Sequence, residues 1–393
     1  MHRAIPAIGN MTSKGVLIDR EYLEKLAVDW EAETSMKVLE LNKAVGHPIN
    51  WNSPKQKAEL FYDELGFVQV NKRSTDAKTV AILRKKYDHI VLENLSELGS
   101  RNTIYNTFIK GILERLDFED TLYTSFNQTA TATGRLSSTD PNLQNIPARI
   151  GNTIRKAFIA RPGHIFVNID YAQLEFRVIA HYAKDETAIE YINANKDIHR
   201  MVASLFYDIP ENEVTKEQRQ QAKVTTFGLQ YLRSVKAIAD EFEISIAEAT
   251  KRINILKKLF PGIFQFLTDT VNFVEENHYV ESILGRRRRF TLINEYVRQD
   301  VHRQSVNAPI QGTASDICVY GGIVRPYEEY PKSRGLINVH DSILFEPTIE
   351  NLKEFMSIIP DMMRVVPFET DVKFDVEIKV GENWGEMEDY NGK

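Results

Sequence analysis

Apolar residues recur at helical spacing along the first quarter of the chain. Leu23, Leu26, Ala27, Trp30, Thr34, Val38, Leu41 and Val45 fall mostly three or four positions apart, the spacing of one helix face. Asp19 stands where an N-cap would, and Gly46-His47-Pro48 predicts the stop. Ser53-Pro54-Lys55-Gln56 predicts a fresh start, with Ser as N-cap, Pro at the first helical position and Gln placed for a capping box. A third helical stretch is expected from about Lys86 to Leu116. The texture changes after Asp117. Residues 121–160 are rich in Thr, Ser, Asn and Gln with short extended pieces, and His164 to Asp170 reads as a short apolar strand. Residues 185–280 return to helical spacing. Arg334 to Glu346 reads as strand, tight turn, strand, and Val372 to Val380 alternates like a half-buried strand. The pattern predicts an α+β fold: a helical arm, a sheet-bearing centre, and a second helical insertion before the sheet resumes.

Composition narrows the class. The 393 residues suit two or three domains or one large multi-part fold, with no tandem repeat. Acidic residues outnumber basic ones, 55 to 49, for a net charge of −6. That excludes a globally basic nucleic-acid binder and leaves room for a local basic cleft. One cysteine, Cys318, excludes an internal disulfide framework and points to a reducing cytoplasm. No apolar run approaches the roughly 20 residues of a membrane helix. The opening Met1-His2-Arg3-Ala4-Ile5-Pro6 lacks the apolar core of a signal peptide.

Three segments carry candidate chemistry. Ile165 to Tyr171 is an apolar run interrupted by Asp170, and an acid at the end of a buried strand loses hydration unless something pairs with it. Alone, Asp170 reads equally well as the cap of the next helix. Asp341 sits at a turn between two apolar runs, where Asp is common for ordinary reasons. Together, two strand-end carboxylates in one sheet suit Mg²⁺ rather than zinc, because the ligands are hard oxygens. In the third segment Arg219, Lys223, Phe227 and Tyr231 recur every four residues. Each step turns about 400°, so the row drifts only about 40° per step along one helix side. Two cations followed by two rings match a polyphosphate and a base. The alternative is an amphipathic helix with the rings in a core and the cations in solvent.

At these residues the sequence resembles the polymerase portion of family A DNA polymerases, the bacterial DNA polymerase I type. Asp170-Tyr171-Ala172-Gln173-Leu174-Glu175-Phe176-Arg177 is similar to motif A, Arg219 to Tyr231 to motif B, and Val339-His340-Asp341 to motif C, in the right order. Thr131 to Pro147, Asp197-Ile198-His199, Asn307 to Ala314, Gly381-Glu382-Asn383-Trp384 and Gly15 to Asp19 add further matches. The similarity runs from about residue 5 to 385.

The resemblance implies a right-hand architecture with an antiparallel palm sheet, helical fingers and a helical thumb. Residues 1–20 would lead into the palm, 21–119 form the thumb, 120–186 palm with motif A, 187–297 fingers with motif B, and 298–393 palm with motif C. It implies template-directed DNA synthesis, adding dNTPs to a primer 3′ end by two-metal phosphoryl transfer. Asp170, Asp341 and the Tyr171 carbonyl would hold two Mg²⁺ ions, with Mn²⁺ as a substitute. Arg219, Lys223 and His199 would bind the triphosphate, and Lys223 would also protonate the leaving pyrophosphate. Phe227 would pack on the incoming sugar and base, and Gln173 would also touch the dNTP. Tyr231 would sit near the templating base. Glu175 stands at the steric-gate position that favours dNTPs over NTPs. Arg135, Asn307, Gln311, His340 and Arg303 would contact DNA, largely through minor-groove acceptors common to all base pairs. The expected partners are primer-template DNA and dNTPs, with a separate exonuclease or replication protein besides. A monomer in a bacterial or phage-infected host cytoplasm is expected.

The sequence departs from the family pattern at four places. Ser342 replaces the second carboxylate of motif C, Leu232 the glycine after the motif B tyrosine, Thr226 an asparagine, and Ala172 a serine. No proofreading exonuclease pattern precedes the polymerase portion, so proofreading is expected to be absent from this chain. A minimal phage-encoded enzyme and an excised fragment both fit. The run Arg286-Arg287-Arg288-Arg289 reads either as a duplex or template contact or as an exposed basic loop. Lys72 and Arg73 are candidate thumb contacts. Alternatives of other classes are a single-subunit RNA polymerase-like enzyme, against which Glu175 speaks, a two-metal nuclease, and a non-catalytic DNA-binding relative.

Overall fold

A computed structural model of the chain describes residues 2–390, apart from the side chains of 148–150, 229 and 230. Its centre is an antiparallel five-stranded sheet. In spatial order the strands are Glu388–Asp389, Val376–Gly381, Phe166–Tyr171, Ser342–Phe345 and Gly335–Val339. In the middle strand Phe166, Val167 and Ile169 are fully buried. The register places Asp170 directly opposite Ser342 on one neighbour and Glu377 on the other. Directly opposed residues share a face, so these three side chains project to the same side. Tyr171 points the other way, and its hydroxyl donates to the Met363 carbonyl at 2.8 Å. Gly321 makes room for it, since a Cβ there would lie 2.5 Å from the Tyr171 oxygen.

The helical arm rises from Arg20–Val45 and Ile90–Ile104. Asp19 caps the first helix by accepting from the Tyr22 N–H at 2.9 Å, and Gly46 ends it at φ +85°. Near the base, Arg101 stacks 4.2 Å over the Trp30 ring and its carbonyl accepts from the indole N–H. The outer part has its own core of Leu41, Trp51, Phe61, Phe67, Leu83, Leu92 and neighbours. The second helical block comprises Glu186–Asn193, Ile198–Tyr207, Lys216–Gln230, Val235–Phe242, Ile246–Leu259 and Pro261–Asn277. In chain order it lies between the two halves of the sheet, as the pattern predicts.

Four local expectations need correction. The third helical stretch begins at Ile90, and a separate helix, Ala77–Arg84, precedes it. The chain breaks between them because Tyr87 is drawn onto Phe67, with ring centroids 4.6 Å apart, and its hydroxyl accepts from the Val68 N–H. Ser53 does cap Pro54–Glu59, but Gln56 accepts from the Asn50 N–H instead of closing a capping box. The strand expected from Val372 starts at Val376, because the backbone at Asp371 and Lys373 bonds to the Asn193 side chain rather than to the sheet. The motif helix ends at Gln230, so Tyr231 lies in the following turn, where both its N–H and that of Arg233 are drawn to the Gly228 carbonyl.

Behind the sheet, fully buried Glu346 accepts from the Arg161 backbone N–H and guanidinium at 2.8 and 2.9 Å and from Arg334 at 2.6 Å. Arg161 in turn holds the carbonyl of Lys14, where the first helix ends. Removing the carboxylate strands two partly buried cations. Glu346→Ala is therefore expected to cost about 3 kcal/mol, read as a lower urea midpoint at unchanged m-value.

Candidate active site

The two strand-end aspartates meet at the mouth of a cleft. Asp341 occupies the two-residue turn between Val339 and Ser342, which pair with each other, and its backbone carbonyl accepts from the Tyr171 N–H at 3.2 Å. Asp170 is open to the cleft, yet the surrounding protein strips much of its hydration. Its carboxyl is pushed up to about 6, first by that loss, then by the charges of Asp341 and Glu377. Burial likewise raises Asp341, with Arg135 and His340 opposing. Loss of hydration at both carboxylates, with the charge of Asp341 added at Asp170, leaves a pair whose proton affinity is raised, as at a site that lacks part of its countercharge. Among the described residues no set of three or more Asp, Glu, His or Cys side chains converges on one point. That donor set fits Mg²⁺, which takes one or two carboxylates and completes its shell with water and phosphate oxygens.

Beside this pair stands the helix Lys216–Gln230. Arg219 pairs with Asp197 at 2.6 Å. Lys223 holds its ammonium 5.8 Å from the Phe227 ring centroid. Phe227 packs on His199, centroids 5.5 Å apart, and Phe176 meets the same imidazole edge-on at 6.4 Å. His199 is 1% exposed, and among the described residues neither ring nitrogen has a partner. Burial, together with Arg219 and Lys223 and against the pull of Asp197, lowers its pKa to about 4, so it is neutral at pH 7. Gln173, at φ +51°, opens the helix Leu174–Ala183. With Arg219, Lys196, Asp197 and Glu377 it lines one polar cavity next to Asp170.

A second cluster joins four further residues named from the sequence. Glu175, 8% exposed, is paired with Arg135. The Tyr231 hydroxyl reaches Glu175 at 3.5 Å and accepts from the Gln311 amide at 3.2 Å. Burial raises the Glu175 pKa, with Arg135 opposing. Asn307 lies one helical turn before Gln311, and its buried side-chain oxygen has no partner. His340 stands exposed at the hairpin tip at φ +54°. Arg303 is not drawn in: it is exposed and paired with Asp300.

The departures from the family pattern find distinct places. Ser342 donates to the Val339 carbonyl at 3.0 Å. Leu232 adopts φ +45°, which costs a leucine about 1–2 kcal/mol. Its side chain offsets that by lining a cavity with Phe264, Leu267 and Val271. Thr226 is buried and bonds back to the Ala222 carbonyl. The arginine run is mostly engaged by the protein itself. Arg286 pairs with Asp316 at 2.8 Å and lies against Gly134, Arg287 pairs with Glu281, and Arg288 donates to Gln304. Among the described residues only Arg289 of the four lacks a side-chain partner. Arg73 is similarly held by Asp63. Sequence reasoning passed over Glu377 and Asp197. The signal for Glu377 was present in Val376-Glu377-Ile378, where alternation puts one acid on the cleft side of a strand, but which strand it would pair with was not readable.

Comparison with known proteins identifies the family. Residues 20–386 match the model of DNA polymerase family A. The chain is 35% identical over 390 residues to DNA polymerase I of Borreliella burgdorferi and 34% identical over 390 residues to the thermostable DNA polymerase I of Thermus aquaticus. Each alignment takes in 96% of this chain but only 42% and 46% of those proteins, so the chain spans a little under half of their length. Among solved structures it is similar to the POL domain of Pol1 from M. smegmatis in complex with DNA primer-template and dNTP, with a TM-score of 0.89 and 32% identity over 98% of this chain and 70% of that one. The match over nearly the whole chain and the identity to these relatives show that the chain belongs to DNA polymerase family A.

Proposed function

We propose that this chain extends a primer 3′ end with dNTPs on a DNA template. The observation that carries the reading is the register that sets Asp170 beside Asp341 at the foot of the Arg219–Lys223–Phe227 helix. Asp170 and Asp341 would hold Mg²⁺, which when bound lowers the pKa of the attacking hydroxyl and neutralises charge on the phosphates. Arg219 exchanges Asp197 for phosphate oxygens, and Lys223, with no acid partner of its own among the described residues, supplies a second cation and a proton for the leaving group. Phe227 offers a flat wall for the incoming base and sugar. The neutral His199 is a hydrogen-bond donor in want of an acceptor, which a triphosphate would supply. Arg135, Asn307, Gln311 and His340 line the approach of the primer terminus. Arg303, exposed and ion-paired, is left to a backbone contact at most. Glu175, buried beside Tyr231, closes the space a ribose 2′ hydroxyl needs. The complex of the M. smegmatis domain with primer-template and dNTP supports both partners for this chain.

Primer extension on a recessed duplex with Mg²⁺ tests the reading. Extension is expected with dNTPs and not with NTPs, and Asp170→Ala or Asp341→Ala should each lower the rate by about a thousandfold. Equal use of NTPs would move the protein to RNA synthesis, and degradation of the duplex in place of extension would make it a nuclease. Glu175→Ala should admit NTPs while keeping dNTP extension measurable. A further prediction concerns pH. The folded pKa of His199, about 4, lies below its ordinary 6.5, so the unfolded chain takes up the proton first as pH falls. Stability should drop between pH 6.5 and 4 by about 3 kcal/mol from this group. Denaturant titrations at pH 7 and pH 4 should show that His199→Phe narrows the difference between the two by that amount.

A further inference from the structure

The hairpin that presents Asp341 is held from inside by one buried amide. Its loop has two residues, His340 and Asp341, closed by the Val339–Ser342 pair. His340 takes φ +54° while Asp341 is not among the positive-φ residues. A two-residue loop with positive φ only at its first position is one that normally carries glycine there. Histidine is strained in it, so something must hold the turn closed.

Asn338 does so. It is the polar member of the apolar strand Gly335–Val339 and is 3% exposed. Its side-chain N–H₂ donates to the carbonyls of His340 and Ser342, both at 3.1 Å. Its own backbone and side-chain oxygens accept from the Gln144 amide at 3.1 and 3.3 Å. The Cys318 thiol adds a long contact to the His340 carbonyl at 3.5 Å. The Asp341 carbonyl is taken by the Tyr171 N–H. Three consecutive carbonyls around Asp341 are thus tied down, whereas among the described residues no donor reaches its carboxylate. A rigid backbone under a carboxylate left free is the arrangement of a group reserved for a ligand.

An apolar residue would fill the Asn338 position at lower desolvation cost if stability alone mattered, because a buried amide is tolerated only when fully bonded. We infer that Asn338, braced by Gln144, is a positioning residue that sets the Asp341 carboxylate for catalysis. The inference rests on the role proposed above for Asp341. It places Gln144, on the short 3-10 turn Leu143–Asn145 far away in sequence, in the same device. A displacement of about 1 Å at a reacting group costs on the order of a hundredfold in rate, so a loosened turn should be visible in turnover.

The test compares Asn338→Leu, Asn338→Gln, Gln144→Ala and Asp341→Ala. The readouts are single-nucleotide insertion kinetics, Mn²⁺ binding to the free protein by electron paramagnetic resonance, and melting temperature. Asn338→Leu is expected to lower both kcat and Mn²⁺ affinity by about tenfold or more, with KM for the dNTP little changed and the melting temperature lowered only by the few degrees that the lost hydrogen bonds account for. Gln144→Ala should move the same two quantities less, and Asn338→Gln, which keeps an amide, should recover part of the loss. If Asn338→Leu leaves kcat and Mn²⁺ affinity at wild-type values while Asp341→Ala is inactive, the positioning role is wrong and the site assignment stands. A fall in kcat that tracks a fall in melting temperature at unchanged Mn²⁺ affinity also overturns it. An active Asp341→Ala overturns the assignment beneath it. Should Asn338→Leu fail to fold, Gln144→Ala decides by the same two quantities.

Discussion

The rest of this structure depends on holding two carboxylates together without a cation of the protein's own between them. Like charges near a protein surface repel by a few kcal/mol; at Asp170 that repulsion adds to the loss of hydration that comes first in raising its proton affinity, while burial raises Asp341. The apolar residues of the same strands supply the compensation. Val167, Ile169, Ile343 and Phe345 are fully buried, each contributing about 1.5–3 kcal/mol. Together they exceed the repulsion severalfold. The sheet can therefore keep a register that electrostatics alone would reject, and the helices packed on its apolar side keep that register from slipping.

Around this pair the side chains divide by whether the protein satisfies them. Arg219 is bound to Asp197, and Arg135 to Glu175, which also meets Tyr231 and through it Gln311. These groups are parked on one another, so any ligand must displace an existing partner. Others are stranded: both nitrogens of His199 and the side-chain oxygen of Asn307 have no partner among the described residues despite burial. Buried polar atoms are rarely left this way, and both residues belong to groups proposed above to meet substrate. The four-arginine run shows the converse. Three of its members are committed to neighbours, so a dense stretch of charge in sequence contributes less free charge than it suggests, and Arg286 lies against Gly134, next to Arg135.

Much of the fold was legible because it is written in short-range chemistry. The caps at Asp19 and Ser53, the stop at Gly46 and the hairpin around Asp341 depend on residues within a turn of one another. The misreadings share the opposite cause. Tyr87 breaks a helix by reaching Phe67, Asn193 delays a strand by holding Asp371 and Lys373, and Gln56 leaves its capping box for Asn50. In each case a partner outside the local pattern offered a better bond. Tyr231 belongs with these, since the Gly228 carbonyl ends the helix just before it.

By itself the sequence determined the family and the identity of the acids, cations and rings, because their order and spacing match motifs that few unrelated chains would carry. It also determined the strand or helix on which most of them lie, Tyr231 excepted, since periodicity of two or near four is a local property. Only the tertiary structure decided which groups face each other. Glu377 stands across from Asp170, Arg135 is held by Glu175, and Asn338 grips the Asp341 turn with help from Gln144. Most of these pairings join residues tens to hundreds of positions apart. They are set by strand order and register, which the packing of the whole sheet decides and which leave no periodic trace along the chain.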